Sequence, residues 1–299
     1  MFTRKAFLVG LAAAVGSFLA APTQAAESTL QKILKRAEII IGTDIPYEPF
    51  EFLDDDGKYV GFDVDLANLL ADQLGVKLTF KKAGSFDTIR AELNIGDFDL
   101  VISGMTRTLQ RAREVNFTDG YYNAGQIAMV SKKRDLGKKA TSYADFNVPE
   151  AVLSVQSGTT GEKAAKAFFP KAKIHSFPST PLAIQEVIDG RVDALINDDA
   201  NIIPTFKKIG SADVVLCCPV VAEAGSLSEI RSTISLLTSE VYGMAVRFGD
   251  EDLLHWLNLF IEQTKTTIVV TDELAKKYKL KSDAIGQAIL PALREKWGL

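Results

Sequence analysis

Asp198 ends an apolar run, Ala194-Leu195-Ile196-Asn197-Asp198. A carboxylate at the end of a buried strand can pair with a cation such as an ammonium group; the bland role is a cap on the next segment, which Asp199 would fill equally well. Ser157-Gly158-Thr159-Thr160-Gly161 follows an apolar run ending at Gln156. Small residues ahead of a helix leave backbone N–H groups free to hold a carboxylate or phosphate, although a plain strand-to-helix turn reads the same way. Ser103-Gly104-Met105-Thr106-Arg107-Thr108-Leu109-Gln110-Arg111 comes just after a third such run. The planar fork of Arg111 suits bidentate capture of a carboxylate, and Arg113 competes with it for that role. Tyr47, Phe50, Phe52 and Phe86 could stack on the apolar part of a ligand or lie in the core. No nucleophile–base arrangement and no phosphate-cradling Gly-Lys loop is present.

Elements that could position these groups follow from the hydrophobic pattern. Residues 37–42, 76–81 and 99–103 read as strands. Phe62, Leu66, Leu69, Leu70 and Leu74 fall at helical spacing up to Gly75, and residues 87–94 read as a short helix. Asp54-Asp55-Asp56-Gly57 reads as a hairpin turn. The rhythm restarts at residue 151, with strands at 151–156, 173–177 and 194–197 and helices at 162–169 and 181–188. Strands alternating with helices imply parallel, helix-covered sheets. Residues 96–103 (GDFDLVIS) and 190–197 (GRVDALIN) match in layout, with Glu92-Leu93 paralleled by Glu186-Val187 upstream. In each, a helix ends, a glycine turns the chain, an aspartate opens a buried strand and a small polar residue closes it. Two similar lobes are expected. Ligands of open α/β sheets bind beyond the carboxyl ends of the strands, so Ser103-Gly104 and Asn197-Asp198 would face each other across one cleft.

Counting narrows the classes further. Of 299 residues, 47% are hydrophobic and 24% charged, which suits one large or two ordinary folded domains. Lys and Arg number 34 against 38 Asp and Glu, a net charge of −4 that argues against a nucleic-acid surface. Two His and two Cys exclude a zinc finger or a multi-disulfide framework, and neither His175 nor His255 has metal-ligand spacing. Residues 1–26 read as a secretory signal peptide: Arg4 and Lys5, an apolar stretch over 6–21, then small residues with cleavage after Ala25 or Ala26. That stretch is shorter than the ~20 residues that span a bilayer. Cys217 and Cys218 are adjacent in an exported chain. A bond between them is open, although neighbouring Cα atoms about 3.8 Å apart would strain it; two partly buried thiols in the strand-like run 214–221 is the other reading.

In these residues the chain resembles the bacterial extracellular solute-binding proteins of the amino-acid-binding family, family 3, which feed ATP-driven importers. Gly61-Phe62-Asp63-Val64-Asp65-Leu66-Ala67, running on to Leu70, Ala71 and Leu74, is similar to the family signature. Thr43-Asp44 with Tyr47-Glu48-Pro49-Phe50 resembles its first ligand loop. Met105-Thr106-Arg107-Thr108 through Arg111, with Val115-Asn116-Phe117-Thr118 and Tyr121-Tyr122, resembles its second. Ser157-Gly158-Thr159-Thr160 and Asp198 match second-lobe elements, and Tyr242-Gly243-Met244-Ala245-Val246-Arg247 resembles the return into the first lobe. The resemblance covers about residues 37–262.

It implies a two-lobed α/β fold of the type II periplasmic binding protein kind with two crossing hinge segments. Lobe one would span 37–123 plus 241–299 and lobe two 124–240. It also implies that Arg111 binds a ligand α-carboxylate with help from the backbone near Thr106 and Thr160, and that Asp198 with the Ser103-Gly104 end takes the α-ammonium. Tyr47 and Phe86 would stack on the ligand, Asp44 would approach its side chain, and Ser157 and Thr159 would complete the second wall. Several positions depart from the pattern. Arg107 replaces an apolar residue and would favour an acidic ligand if it faced the cleft. Gly104 stands where a Ser is common, Gly161 where basic-amino-acid binders carry a polar residue, and residues 264–299 form an unusually long ending.

The expected protein is a non-enzymatic periplasmic receptor for a small zwitterionic amino acid or related polar solute, a monomer without cofactor or metal. It would close over its ligand and dock on the membrane permease of an ATP-driven importer. The rivals are a dehydratase acting on cyclohexadienyl acids such as prephenate or arogenate, and a soluble sensing module. Asp44 leans toward a polar or basic ligand side chain and Arg107 toward an acidic one.

Overall fold

The structure, a computed structural model, describes residues 27–218 and 227–299; the expected signal peptide lies outside the described residues. Two five-stranded sheets are laid out alike. The first runs Lys77–Lys82, Glu38–Thr43, Leu100–Val101, Ala245–Val246, Asn116–Phe117. Its first three strands are parallel, and Ala245–Val246 is antiparallel to both of its neighbours. The second runs Lys173–Phe177, Val152–Gln156, Ala194–Asp198, Gln126–Ser131, Val214–Cys217. Again the first three are parallel, and Gln126–Ser131 is antiparallel to its neighbours. Between the sheets, Tyr122–Ala124 and Glu240–Tyr242 pair antiparallel as the two crossing strands.

The matched stretches have a common physical basis. Asp99 accepts the Ile40 N–H at 2.8 Å and gives its own N–H to the Ile40 carbonyl at 2.9 Å. Asp193 does the same with Val152, at 2.8 and 2.7 Å. Each aspartate also pairs with an arginine, Arg36 for Asp99 and Arg134 for Asp193. An aspartate at this position therefore locks the third strand of its sheet to the second, the strand beside it. That register brings Ser103 and Asn197 to the same end of their respective sheets.

The helix Phe62–Leu74 buries Phe62, Leu66, Leu69 and Leu70, and ends on Gly75 in the left-handed conformation, with the Gly75 N–H on the Ala71 and Asp72 carbonyls. Residues 54–57 turn between the paired strands Phe52–Leu53 and Tyr59–Val60. The short helix starts at Ile89, later than the pattern suggests, because Ser85 and Thr88 hold residues 85–88 in a side-chain-bonded turn. Of the strand-like run 214–221, Val214–Cys217 forms a strand paired with Gln126–Ser131, and residues 219–221 lie outside the described residues. Cys217 and Cys218 are joined through their sulfurs, the alternative to two free thiols.

The long ending packs on the first lobe. Ile289, Leu290 and Leu293 of the helix Ile289–Lys296 enter the same core as Leu66, Leu70 and Leu257. Lys296 and the Trp297 indole N–H both reach Asp65, at 2.6 and 2.7 Å. Lys277 and the Tyr278 hydroxyl reach Asp72, at 2.6 and 2.8 Å. Among the described residues no helix is long and apolar enough to cross a membrane.

Candidate functional site

The parallel strands of both lobes end at one small cavity between them. Asp44, Tyr47, Phe86, Ser103, Gly104, Thr106 and Arg111 line it from the first lobe, and Thr159, Thr160 and Asp198 from the second. Ser157, expected with them, is not on the cavity wall; its hydroxyl is drawn to Asp87 at 2.6 Å across the lobe junction. Glu51, Gln156 and Asn197 also line the cavity. Of these, Asn197 was legible beside Asp198, and Gln156 as the end of its strand. Glu51 is masked by its place in an aromatic run.

Arg111 is 6% exposed whereas Arg113 is exposed, so burial separates the two candidates. Its Nη1 donates to the Thr106 carbonyl at 2.8 Å and its Nη2 to the Gly158 carbonyl at 3.1 Å. The guanidinium lies over the Phe86 ring, 5.1 Å from its centroid. Burial lowers its pKa to about 10, which leaves it charged at neutral pH, with three of its five N–H donors uncommitted to these two bonds. The helix Thr160–Phe168 starts beside it, capped by Thr159.

Asp198 precedes the helix Asp199–Ile209 but makes no side-chain cap bond. Its Oδ2 accepts the hydroxyls of Tyr47 at 2.7 Å and Tyr242 at 2.6 Å, and Gln126 donates to Oδ1. Burial, then the charge of Glu240, push its pKa up to about 7 against the pull of the two tyrosines. Asp199 takes the Ala200 N–H of the first turn at 2.7 Å, and is buried and paired with Arg231.

Glu51 is 1% exposed, and its Oε1 accepts the Ser103 hydroxyl at 2.6 Å. Burial and the adjacent Asp63 charge hold Glu51 well above the usual carboxylate range. Asp63, pushed up to about 6 by burial, accepts the Gly104 N–H at 2.8 Å and the Tyr121 hydroxyl at 2.9 Å. Asp44 is raised by burial and accepts from Gln156 at 2.8 Å.

The lobes touch through these groups. Tyr47 with Asp198, Asp44 with Gln156, Asp87 with Ser157 and Arg111 with Gly158 all cross the cleft. Asn201 reaches the Glu48 carbonyl at 2.6 Å, and Lys208 lies 3.1 Å from the Glu48 carboxylate. The structure is thus a closed form. Two glycines are crowded, one within the first lobe and one across the cleft. A Cβ on Gly104, whose φ is +48°, would sit 2.9 Å from the Tyr47 ring, which is why no serine stands here. A Cβ on Gly158, at φ +73°, would sit 1.7 Å from Asp87 Oδ1. At Gly161 a Cβ would lie 2.8 Å from the Ile196 carbonyl and 2.9 Å from the Gln126 amide oxygen, so Gln126 occupies the room of a polar side chain there. Arg107 is exposed, packs over Gly243 and does not line this cavity. His175 and His255 are exposed, and among the described residues no group of His, Cys, Asp and Glu could hold a metal ion.

Two α/β lobes closed on a polar cavity, with a buried guanidinium and buried carboxylates around it, define a protein of the two-lobed solute-binding class. The chain belongs to the bacterial extracellular solute-binding proteins, family 3, whose model matches residues 39–281. It is 32% identical over 253 residues to a probable histidine-binding protein of Neisseria gonorrhoeae, covering 83% of this chain and 84% of that one. It is 30% identical over 191 residues to a cyclohexadienyl dehydratase of Pseudomonas aeruginosa, covering 64% and 70%. Among solved structures it is similar to an ancestral amino acid-binding protein, a precursor of cyclohexadienyl dehydratase, with a TM-score of 0.71 and 38% identity; 91% of this chain and all of that one are covered.

Proposed function

We propose that this protein captures an α-amino acid with a cationic side chain by closing its two lobes over it, and delivers it to the membrane permease of an ATP-driven importer. One observation carries the cationic part: Asp44, Glu51 and Asp198 line a cavity whose buried cation is Arg111. A ligand carboxylate on Arg111 uses up that positive charge, and the remaining carboxyls then favour two positive centres, the α-ammonium at Asp198 and a side-chain cation toward Asp44. The opposing cue from Arg107 falls away because that residue is outside the cavity. The histidine-binding relative supports the same reading.

In this account residues 1–26 are a leader removed on export to the periplasm, the mature chain is a monomer, and the lobes are residues 37–123 with 241–299, and 124–240. Closure is favoured by ligand because the ligand bridges Arg111 on one wall and Asp198 on the other. Binding without turnover is the role. A thermal-shift panel of the twenty amino acids, followed by calorimetry, tests it: L-arginine, L-lysine or L-histidine should raise the melting temperature most, since a tight ligand stabilises the bound fold by mass action. A largest shift with L-glutamate or L-aspartate would reverse the charge argument.

A further inference from the structure

Glu240 lies on the second crossing strand, 8% exposed, behind the cavity wall. Its Oε2 accepts the hydroxyls of Thr106 at 2.6 Å, from the first lobe, and Thr160 at 2.7 Å, from the second. Its Oε1 accepts the Thr238 hydroxyl at 2.7 Å and the Gln126 amide at 3.2 Å. Four donors, two to each oxygen, satisfy a buried carboxylate in place of water.

The arrangement has a consequence for the ligand. A hydroxyl owns one proton. Thr106 and Thr160 both line the cavity, and both spend that proton on Glu240. Toward the ligand they present lone pairs only. They stand in the corner where Arg111 is anchored, since Arg111 donates to the Thr106 carbonyl. The carboxylate and ammonium of an α-amino acid share one carbon, so a carboxylate on Arg111 brings the ammonium to these two oxygens and Asp198.

We propose that Glu240 is a positioning residue for α-ammonium selection: by drawing both threonine protons inward it makes Thr106 and Thr160 acceptors that welcome an ammonium and give nothing to a ligand lacking one. This rests on the amino-acid reading above and assigns a role to a residue that does not itself line the cavity.

The test compares each cationic amino acid with the same molecule lacking its α-amino group: L-arginine with 5-guanidinopentanoate, L-lysine with 6-aminohexanoate, L-histidine with imidazolepropionate. Calorimetry on the wild-type protein and Glu240→Ala gives the affinity ratio within each pair. Freed hydroxyls can donate in the variant, so the preference for the α-amino form should shrink at least tenfold. A merely structural role would weaken both members equally and leave the ratio unchanged, which would overturn the inference while leaving the amino-acid reading intact. Failure of the wild-type protein to bind any of the three amino acids would overturn both. Should Glu240→Ala not fold, Thr160→Val must shrink the ratio at least threefold and Thr160→Ser must keep it; an unchanged ratio in Thr160→Val sinks the proposal.

Discussion

Removing the charge on Asp198 should close the cleft without any ligand. In the closed structure its pKa is raised from 3.8 to about 7, first by burial and then by the Glu240 charge. With the lobes apart and water admitted, the carboxyl would return toward the ordinary value. The closed form therefore binds this proton more tightly. At pH 8 an ionised Asp198 opposes empty closure by about 4 kcal/mol, from roughly three pKa units at about 1.36 kcal/mol each. The cost falls as pH drops through 7 and vanishes only below the ordinary 3.8. Between pH 8 and pH 5 the relief is nearly a hundredfold in the closed-to-open ratio. Asp44, raised by burial and bonded across the cleft to Gln156, shifts in the same direction and adds to it. Small-angle scattering on the ligand-free protein should show the radius of gyration falling from pH 8 to pH 5. Asp198→Asn should be the more compact of the two proteins at pH 8, with a flatter pH response. If acid instead expands the protein, or Asp198→Asn follows the wild-type curve, burial of this carboxylate is not what keeps the empty protein open.

Arg111→Ala should weaken amino-acid binding at least a hundredfold by calorimetry, because the ligand carboxylate would be buried without its charged partner, and Arg111→Lys should recover little because the fork is lost. Gly158→Ala should weaken binding as well, since its Cβ would meet Asp87, and Asp87→Ala should restore part of the loss; no recovery would trace the effect to the positive φ alone. Asp65→Ala should lower the melting temperature by about 4–8 °C, from about 2 kcal/mol of lost bonds to Lys296 and Trp297, without changing ligand affinity. Purified protein incubated with prephenate or arogenate should form no aromatic product, measured by absorbance; turnover would show that the likeness to the dehydratase extends to its chemistry.

The lobes were legible in the sequence because the physics repeats: an aspartate that must pair with the first strand stands in both halves at the same offset, as Asp99 and Asp193. Strand-end residues were legible for the same reason, since alternation of strand and helix fixes which end faces the cleft. What sequence spacing could not order was burial. Arg111 and Arg113 look equivalent until one is folded under Phe86. Arg107 seemed a candidate for the cleft until its stem was seen across Gly243. Glu51, Gln126 and Glu240 went unread because each is a polar residue in a local run with no periodic signature, and their partners come from distant chain segments. Glu240 meets Thr106 from 134 positions away.

Those unread residues are also what sorts the cavity. Ser103 gives its proton to Glu51, Tyr47 and Tyr242 give theirs to Asp198, Thr106 and Thr160 to Glu240, and Thr159 to the Gln156 carbonyl. Every one of these hydroxyls is turned away from a ligand by an oxygen that holds its hydrogen. The strong donor left on the wall is Arg111, while the oxygens of Thr106 and Thr160 beside it and the carboxyls of Asp44 and Asp198 accept. A dicarboxylate would put its second anion among lone pairs, and a neutral hydroxy acid would leave several of them unmatched. An amino acid carrying a second cationic group supplies donors in both places. On this reading selectivity comes as much from the carboxyls of Glu51, Asp198 and Glu240, which dictate where each hydrogen points, as from the groups that touch the ligand.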